Sequence, residues 1–127
     1  MISKKIINLD RIRQIDGGFS FIPHRFLTGG FINDLSRDQL LLYLFLVLAA
    51  DRYGLSFYSY DKICTLLEMS LDQYVDARCA LIKKDLIAFD GTVFQVLALP
   101  ELPKKSKPQQ PHPLEPLARN MFKEVAS

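Results

Sequence analysis

The sequence predicts a mainly α-helical domain closed by a small β-hairpin, and three observations carry that reading. Residues 40–50, LLLYLFLVLAA, form an apolar run preceded by Ser36-Arg37-Asp38-Gln39, which has the form of a capping box. Ser70-Leu71-Asp72-Gln73 repeats that form ahead of a second amphipathic stretch. Asp90-Gly91 then stands between two β-rich runs, the sequence signal for a tight hairpin turn.

The apolar run comes first because the rest of the chain must cover it. A bilayer-spanning helix needs roughly 20 apolar residues, so this run is too short to cross a membrane. Leu and Ala are strong helix formers, whereas strands favour β-branched residues. The reading is a helix from Arg37 to about Tyr53, stopped by Gly54. It is apolar on every side, unlike a surface helix with one apolar stripe. Leu40, Leu44, Val47 and Leu48 can share one side, with Leu41, Phe45 and Leu46 spread over the others. Two coverings are open. Either the chain's own N-terminal segment and later helices enclose everything, or one face is a subunit interface with Leu41, Phe45 and Leu46 as its candidate residues. Because a small domain has little material to enclose a helix, a homodimer is the expectation.

Composition narrows the class. The chain has 127 residues, 49% of them hydrophobic, enough to build one core but not two full domains. The expected organisation is an N-terminal arm over residues 1–30, a domain over 31–99 and a linker with a short terminal helix over 100–127. The start, Met1 to Ile6, is basic but lacks an apolar h-region, so a cytoplasmic protein with reduced thiols is expected. The net charge of +2 hides a division. Residues 1–30 carry five basic against two acidic side chains, residues 31–100 six against nine, and residues 101–127 five against three. An acidic centre lies between two basic arms.

In chain order, residues 1–18 suit a short helix or an extended arm, ended by Asp16-Gly17-Gly18. Pro23 bars a central strand, so Phe19, Phe21, Ile22, Phe26 and Leu27 are expected to lie over the long helix from an extended segment. A short aromatic strand covers Leu55 to Ser59. Ser59 caps a helix that carries Tyr60, Ile63, Cys64 and Leu67 on one face. After a break at Met69-Ser70, a second helix runs to about Lys84, with Leu71, Tyr74 or Val75, Ala77, Leu81 and Ile82 inward. Asp90-Gly91 is expected to make a two-residue type I′ turn in a hairpin between Leu86 and Leu97. Pro100 to Pro116 holds six of the seven prolines and reads as an extended linker. Leu114, Leu117, Met121 and Val125 then recur at helical intervals, either a frayed amphipathic end or a peptide that docks on a partner.

This order, with Tyr53-Gly54-Leu55-Ser56-Phe57-Tyr58-Ser59, Ile63, Leu66-Leu67, Ser70, Leu81 and Leu86-Ile87, resembles a winged helix-turn-helix domain over residues 31–99. The stretch is similar to N-terminal domains of bacterial and plasmid replication-initiation proteins and to small helix-turn-helix proteins of mobile elements. The family's usual Gly before the Leu-Ile pair is replaced by Asp85, which tolerates the left-handed backbone better than most residues. The resemblance implies DNA binding, with the Ser70–Lys84 helix entering the major groove.

The charges of this chain qualify that implication. Helical spacing turns Asp72, Gln73, Asp76, Ala80 and Lys83 outward. Gln73 can read adenine, but two aspartates oppose phosphate, and the wing tip has no cation. Candidate contacts are therefore Gln73 and Lys83 on the helix, Lys4, Lys5, Arg11 and Arg13 in one arm, and Lys104, Lys105 and Lys107 in the other. The arm lysines equally suit a solubilising role. His24 and His112 are too few and too scattered for a metal site, no glycine-rich loop precedes a helix, and Cys64 and Cys79 are expected to be buried. No metal, cofactor or catalytic residue is expected. Two function classes remain: a bacterial winged-helix DNA-binding protein of replication initiation, transcription or a mobile element, and an assembly module that keeps the fold without strong DNA binding.

Overall fold

The computed structural model describes residues 3–15 and 17–104. Its helices are α1 (Arg25–Thr28), α2 (Arg37–Ala49), α3 (Tyr60–Leu67) and α4 (Leu71–Lys83). The strands are β1 (Leu55–Ser56), β2 (Ile87–Phe89) and β3 (Phe94–Val96). One antiparallel sheet has the order β1-β3-β2. A mainly α-helical fold with a small open sheet in this order has winged helix-turn-helix topology.

Both expected capping boxes form. Gln39 N donates to Ser36 Oγ at 3.3 Å and Ser36 N to Gln39 Oε1 at 3.1 Å. At α4 the same pair of bonds joins Gln73 and Ser70, at 3.1 and 2.8 Å. Each box satisfies two amides that a helix start otherwise leaves unpaired.

The far end of α2 departs from expectation. The helix stops at Ala49 and the backbone is extended at Ala50, several residues before Gly54. The cause is local: Asp51 Oδ1 accepts from Tyr53 N at 2.8 Å and Leu55 N at 3.0 Å, a side-chain turn that competes with the helix. Gly54 (φ +86°) has a different task. A Cβ there would stand 2.6 Å from Val96 O, and Val96 N donates to Gly54 O at 2.8 Å. The glycine lets the chain turn against β3 and deliver β1 to the sheet edge.

Glu68 closes α3 in the left-handed region (φ 54°), and Met69 N donates to Cys64 O at 3.0 Å. Asp85 takes φ 62°, as expected for the residue in the glycine position, and Leu86 N returns to Leu81 O at 3.1 Å. The wing differs from the two-residue turn. Phe89 pairs with Phe94, so Asp90 to Val93 form a four-residue loop. Asp90 Oδ1 accepts from Val93 N at 2.7 Å and Thr92 N at 2.8 Å, which makes the longer loop the better-bonded one.

Leu42, Tyr43, Leu46 and Val47 of α2 are buried with Tyr74, Ala77 and Leu81 of α4, Ile63 of α3, and Leu86, Ile87 and Phe94 from the sheet side. Tyr60 and Leu71, expected inward, are exposed in the first turns of α3 and α4. Ahead of α2, Phe26 stacks on Tyr43 with ring centroids 5.0 Å apart, and Phe31 is buried beside it. The N-terminal segment thus covers the Tyr43 side of α2. Phe19, Phe21 and Leu27, expected to join that cover, are exposed. Arg25 fastens the segment by donating to the carbonyls of Leu99, Pro100 and Glu101 at 2.9, 2.6 and 3.2 Å.

Candidate nucleic-acid interface

The outer face of α4 is acidic. Asp72 and Asp76 are exposed in its first half, and Lys83 is exposed at the far end. Gln73 is also exposed, but its Oε1 is held by Ser70 N in the capping box. A bidentate adenine contact needs that oxygen as well as the amide nitrogen, so the cap competes with base reading. Arg78 does not face outward either. Its guanidinium lies 4.9 Å from the Phe89 ring centroid and 5.2 Å from that of Tyr74, and donates to the Tyr74 hydroxyl at 3.4 Å. It braces α4 against the wing.

Lys84 is turned inward too. It is 5% exposed, and its Nζ donates to the Asp34 carbonyl and, at 2.9 Å, to Gln39 Oε1. Asp34 Oδ2 stands 3.9 Å away. Helical spacing gives no warning of this role, because the partners lie 45 and 50 residues upstream. Of Arg78, Lys83 and Lys84, only Lys83 points to solvent. The wing tip offers no cation, and the bonds from Val93 N and then Thr92 N hold the Asp90 carboxyl below the usual aspartate range, so it stays anionic.

The N-terminal arm has the opposite character. Lys4, Lys5, Arg11 and Arg13 are all exposed, and none forms an ion pair among the described residues. A short 3-10 turn, Leu9–Arg11, is capped by Asn8 Oδ1 accepting from Asp10 N at 3.0 Å. Ile6, Ile7, Leu9, Ile12 and Ile15 are exposed in the same arm. Lys104 is committed elsewhere, 2.7 Å from Asp85 Oδ2, in a half-exposed pair. Lys105, Lys107 and the amphipathic segment from Leu114 lie outside the described residues.

On α2, the expected interface residues separate. Leu46 is 0% exposed, enclosed by the chain's own core, and so drops out of any outer face. Phe45 is half-buried, with Tyr58 edge-on at 5.0 Å. Leu41 is 40% exposed, and the residues beside it on the surface are Leu44 at 36% and Leu48 at 74%. Phe57 is also exposed. Spacing could have identified this row, since 41, 44 and 48 recur at helical intervals, but an all-apolar helix does not say which of its rows is outside.

Chemistry of other kinds has little material. Cys79 is exposed on α4, contrary to the expected burial, and Cys64 is half-buried with Sγ 3.8 Å from Ser70 O. Among the described residues no group of three or more His, Cys, Asp or Glu side chains could hold a metal ion. No described helix is long and apolar enough to cross a membrane. An open groove of about 790 Å³ runs between Phe19, Phe21, Tyr43, Val47, Tyr53 and Leu99. Burial pushes the Tyr43 hydroxyl above its ordinary range, so that phenol stays neutral. No family model, curated protein or solved structure matches the chain.

Proposed function

We propose that this chain is a winged-helix DNA-binding protein of bacterial type, without catalytic activity, that holds the duplex backbone with its cationic N-terminal arm. Replication initiation, transcription and mobile-element maintenance are the settings that the sequence resemblance suggests. One observation carries the reading: four exposed cations, Lys4, Lys5, Arg11 and Arg13, gather in the arm, while the α4 face presents Asp72 and Asp76. Phosphate neutralisation dominates duplex affinity, so the arm supplies the favourable term and α4 does not. The testing experiment is an equilibrium titration of mixed-sequence duplex with the full chain, alongside Asp72→Asn with Asp76→Asn. Arm-led binding leaves that pair close to the native affinity. Absence of binding at low salt contradicts the proposal.

A second reading is an assembly module on the same scaffold. The exposed Leu41, Leu44 and Leu48 row favours it, because a run of large apolar side chains on one face is uncommon on a monomer. The C-terminal segment from Leu114 is a candidate docking peptide in that reading.

A further inference from the structure

We propose that the C-terminal segment of this same chain, Leu114 to Val125, docks as an amphipathic helix in the open groove beside the end of α2. The groove, about 790 Å³, has the size of pockets that receive largely apolar occupants. Phe19, Phe21 and Tyr53 line it and are 67%, 75% and 66% exposed, above the buried Tyr43 and Val47. Three exposed aromatic side chains around one concave surface mark an interaction site. The charged groups of the groove are already engaged. Arg25 donates to three carbonyls, and Asp51 accepts from Tyr53 N and Leu55 N. Arg52 follows Asp51 in the chain, and its guanidinium lies 5.1 Å from the Tyr53 ring centroid. The occupant that fits is therefore an apolar surface rather than an ion.

Position along the chain selects which apolar surface. Leu97 and Leu99 form one wall, and the chain passes from that wall directly into the tail. Arg25, also on the groove, holds the Leu99, Pro100 and Glu101 carbonyls, so the tail starts from a fixed point at the groove edge. Lys104 is then tied to Asp85, which follows the Lys84 that meets Gln39 at the start of α2. Leu114 is ten residues further on, through proline-rich sequence that spans up to about 31 Å. The 13 residues of α2 cover about 20 Å, so the segment reaches back along the helix to the groove. A tether of this kind holds the segment at roughly millimolar effective concentration, so modest docking affinity suffices. Pro116 is tolerated in a first helical turn, and Leu117, Met121 and Val125 then recur at steps of four on one face. That is the pattern of a helix laid in a groove. The N-terminal arm is the rival within the chain, but Ile6, Ile7, Leu9, Ile12 and Ile15 are exposed and do not line the groove.

This inference does not depend on DNA binding, and its test contains none. Hydrogen exchange and nuclear Overhauser effects are read on the full chain. In the native chain the Met121 and Phe122 amides exchange at least about tenfold more slowly than in a Phe21→Asp chain. The Met121 methyl shows Overhauser effects to the Phe19, Phe21 or Tyr53 rings. Met121→Asp, a change in the segment itself, moves the Phe19 and Tyr53 ring signals; should Phe21→Asp fail to fold, this variant and the Overhauser effects decide. Equal exchange in the native and folded Phe21→Asp chains overturns the inference, as do ring signals indifferent to Met121→Asp. Protection lost on dilution across micromolar concentrations places the segment on a second copy and also overturns it. Protection removed by Leu48→Glu but not by Phe21→Asp places the segment on the outer row of α2, with the same consequence.

Discussion

Gln39 and Lys84 meet inside the protein at 2.9 Å, joining the start of α2 to the end of α4. The same Gln39 oxygen accepts from Ser36 N, and the same Lys84 ammonium donates to the Asp34 carbonyl. One amide oxygen thus serves a helix cap and a tertiary tie, and the buried lysine ends on two acceptors.

Replacing Lys84 with Met keeps the stem but removes the ammonium that donates to both the Asp34 carbonyl and Gln39 Oε1. We expect a loss of about 1.5–3 kcal/mol in urea unfolding, the range for hydrogen bonds to a charged group. Gln39→Ala removes the cap bond and the acceptor together, at about 1–2 kcal/mol. The double variant costs less than the two single losses added, because both remove the same interaction. Stability of Lys84→Met within about 0.5 kcal/mol of native contradicts the tie.

Gly54 is the second structural test. Alanine there meets Val96 O and is forced to hold φ near +86°. Strained backbone of this kind costs about 1–3 kcal/mol before the clash is counted. Gly54→Ala therefore unfolds at lower urea and loosens β1, visible as faster amide exchange at Val96. An unchanged unfolding midpoint contradicts the close approach.

What is readable in the chain is mostly local. Ser36 with Gln39 and Ser70 with Gln73 announce both capped helices, and Asp85 before Leu86-Ile87 announces a left-handed turn. Each of those signals and its partner lie within a few residues. The end of α2 and the length of the wing are not legible in the same way, because a second local signal competes there: Asp51 and Asp90 accept from amides a few residues further on. That option outcompetes a glycine stop or an Asp-Gly turn. Lys84 escapes a sequence reading because its partners are distant along the chain. Helical spacing offers Gln73 as a base contact, although the capping box that predicts α4 also occupies its oxygen. The outer row of α2 cannot be chosen from a uniformly apolar run; the burial of Leu46 and exposure of Leu48 depend on where α4 and Phe26 pack.

Asp51 and Asp90 set an acid limit. Both carboxyls are held below the ordinary aspartate range, chiefly by backbone amides: Leu55 then Tyr53 for Asp51, Val93 then Thr92 for Asp90. Their folded values lie below their unfolded ones. The stability they contribute is therefore fully present above the unfolded value and is lost as pH falls through the folded value. Melting temperature should decline on the acid side, and Asp51→Asn, which keeps an acceptor but has no proton to bind, should flatten that decline. An identical acid slope in native and Asp51→Asn chains contradicts this assignment.

The most direct test of the proposed function is the salt dependence of duplex binding by the native chain and by a chain carrying Lys4→Ala with Lys5→Ala. If the arm holds the phosphates, the double variant binds more weakly and its log affinity falls less steeply with log salt, by about 0.9 for each phosphate no longer neutralised. Adding Arg11→Ala and Arg13→Ala flattens the slope further. Unchanged affinity and slope in the four-substitution chain contradict arm-led DNA binding.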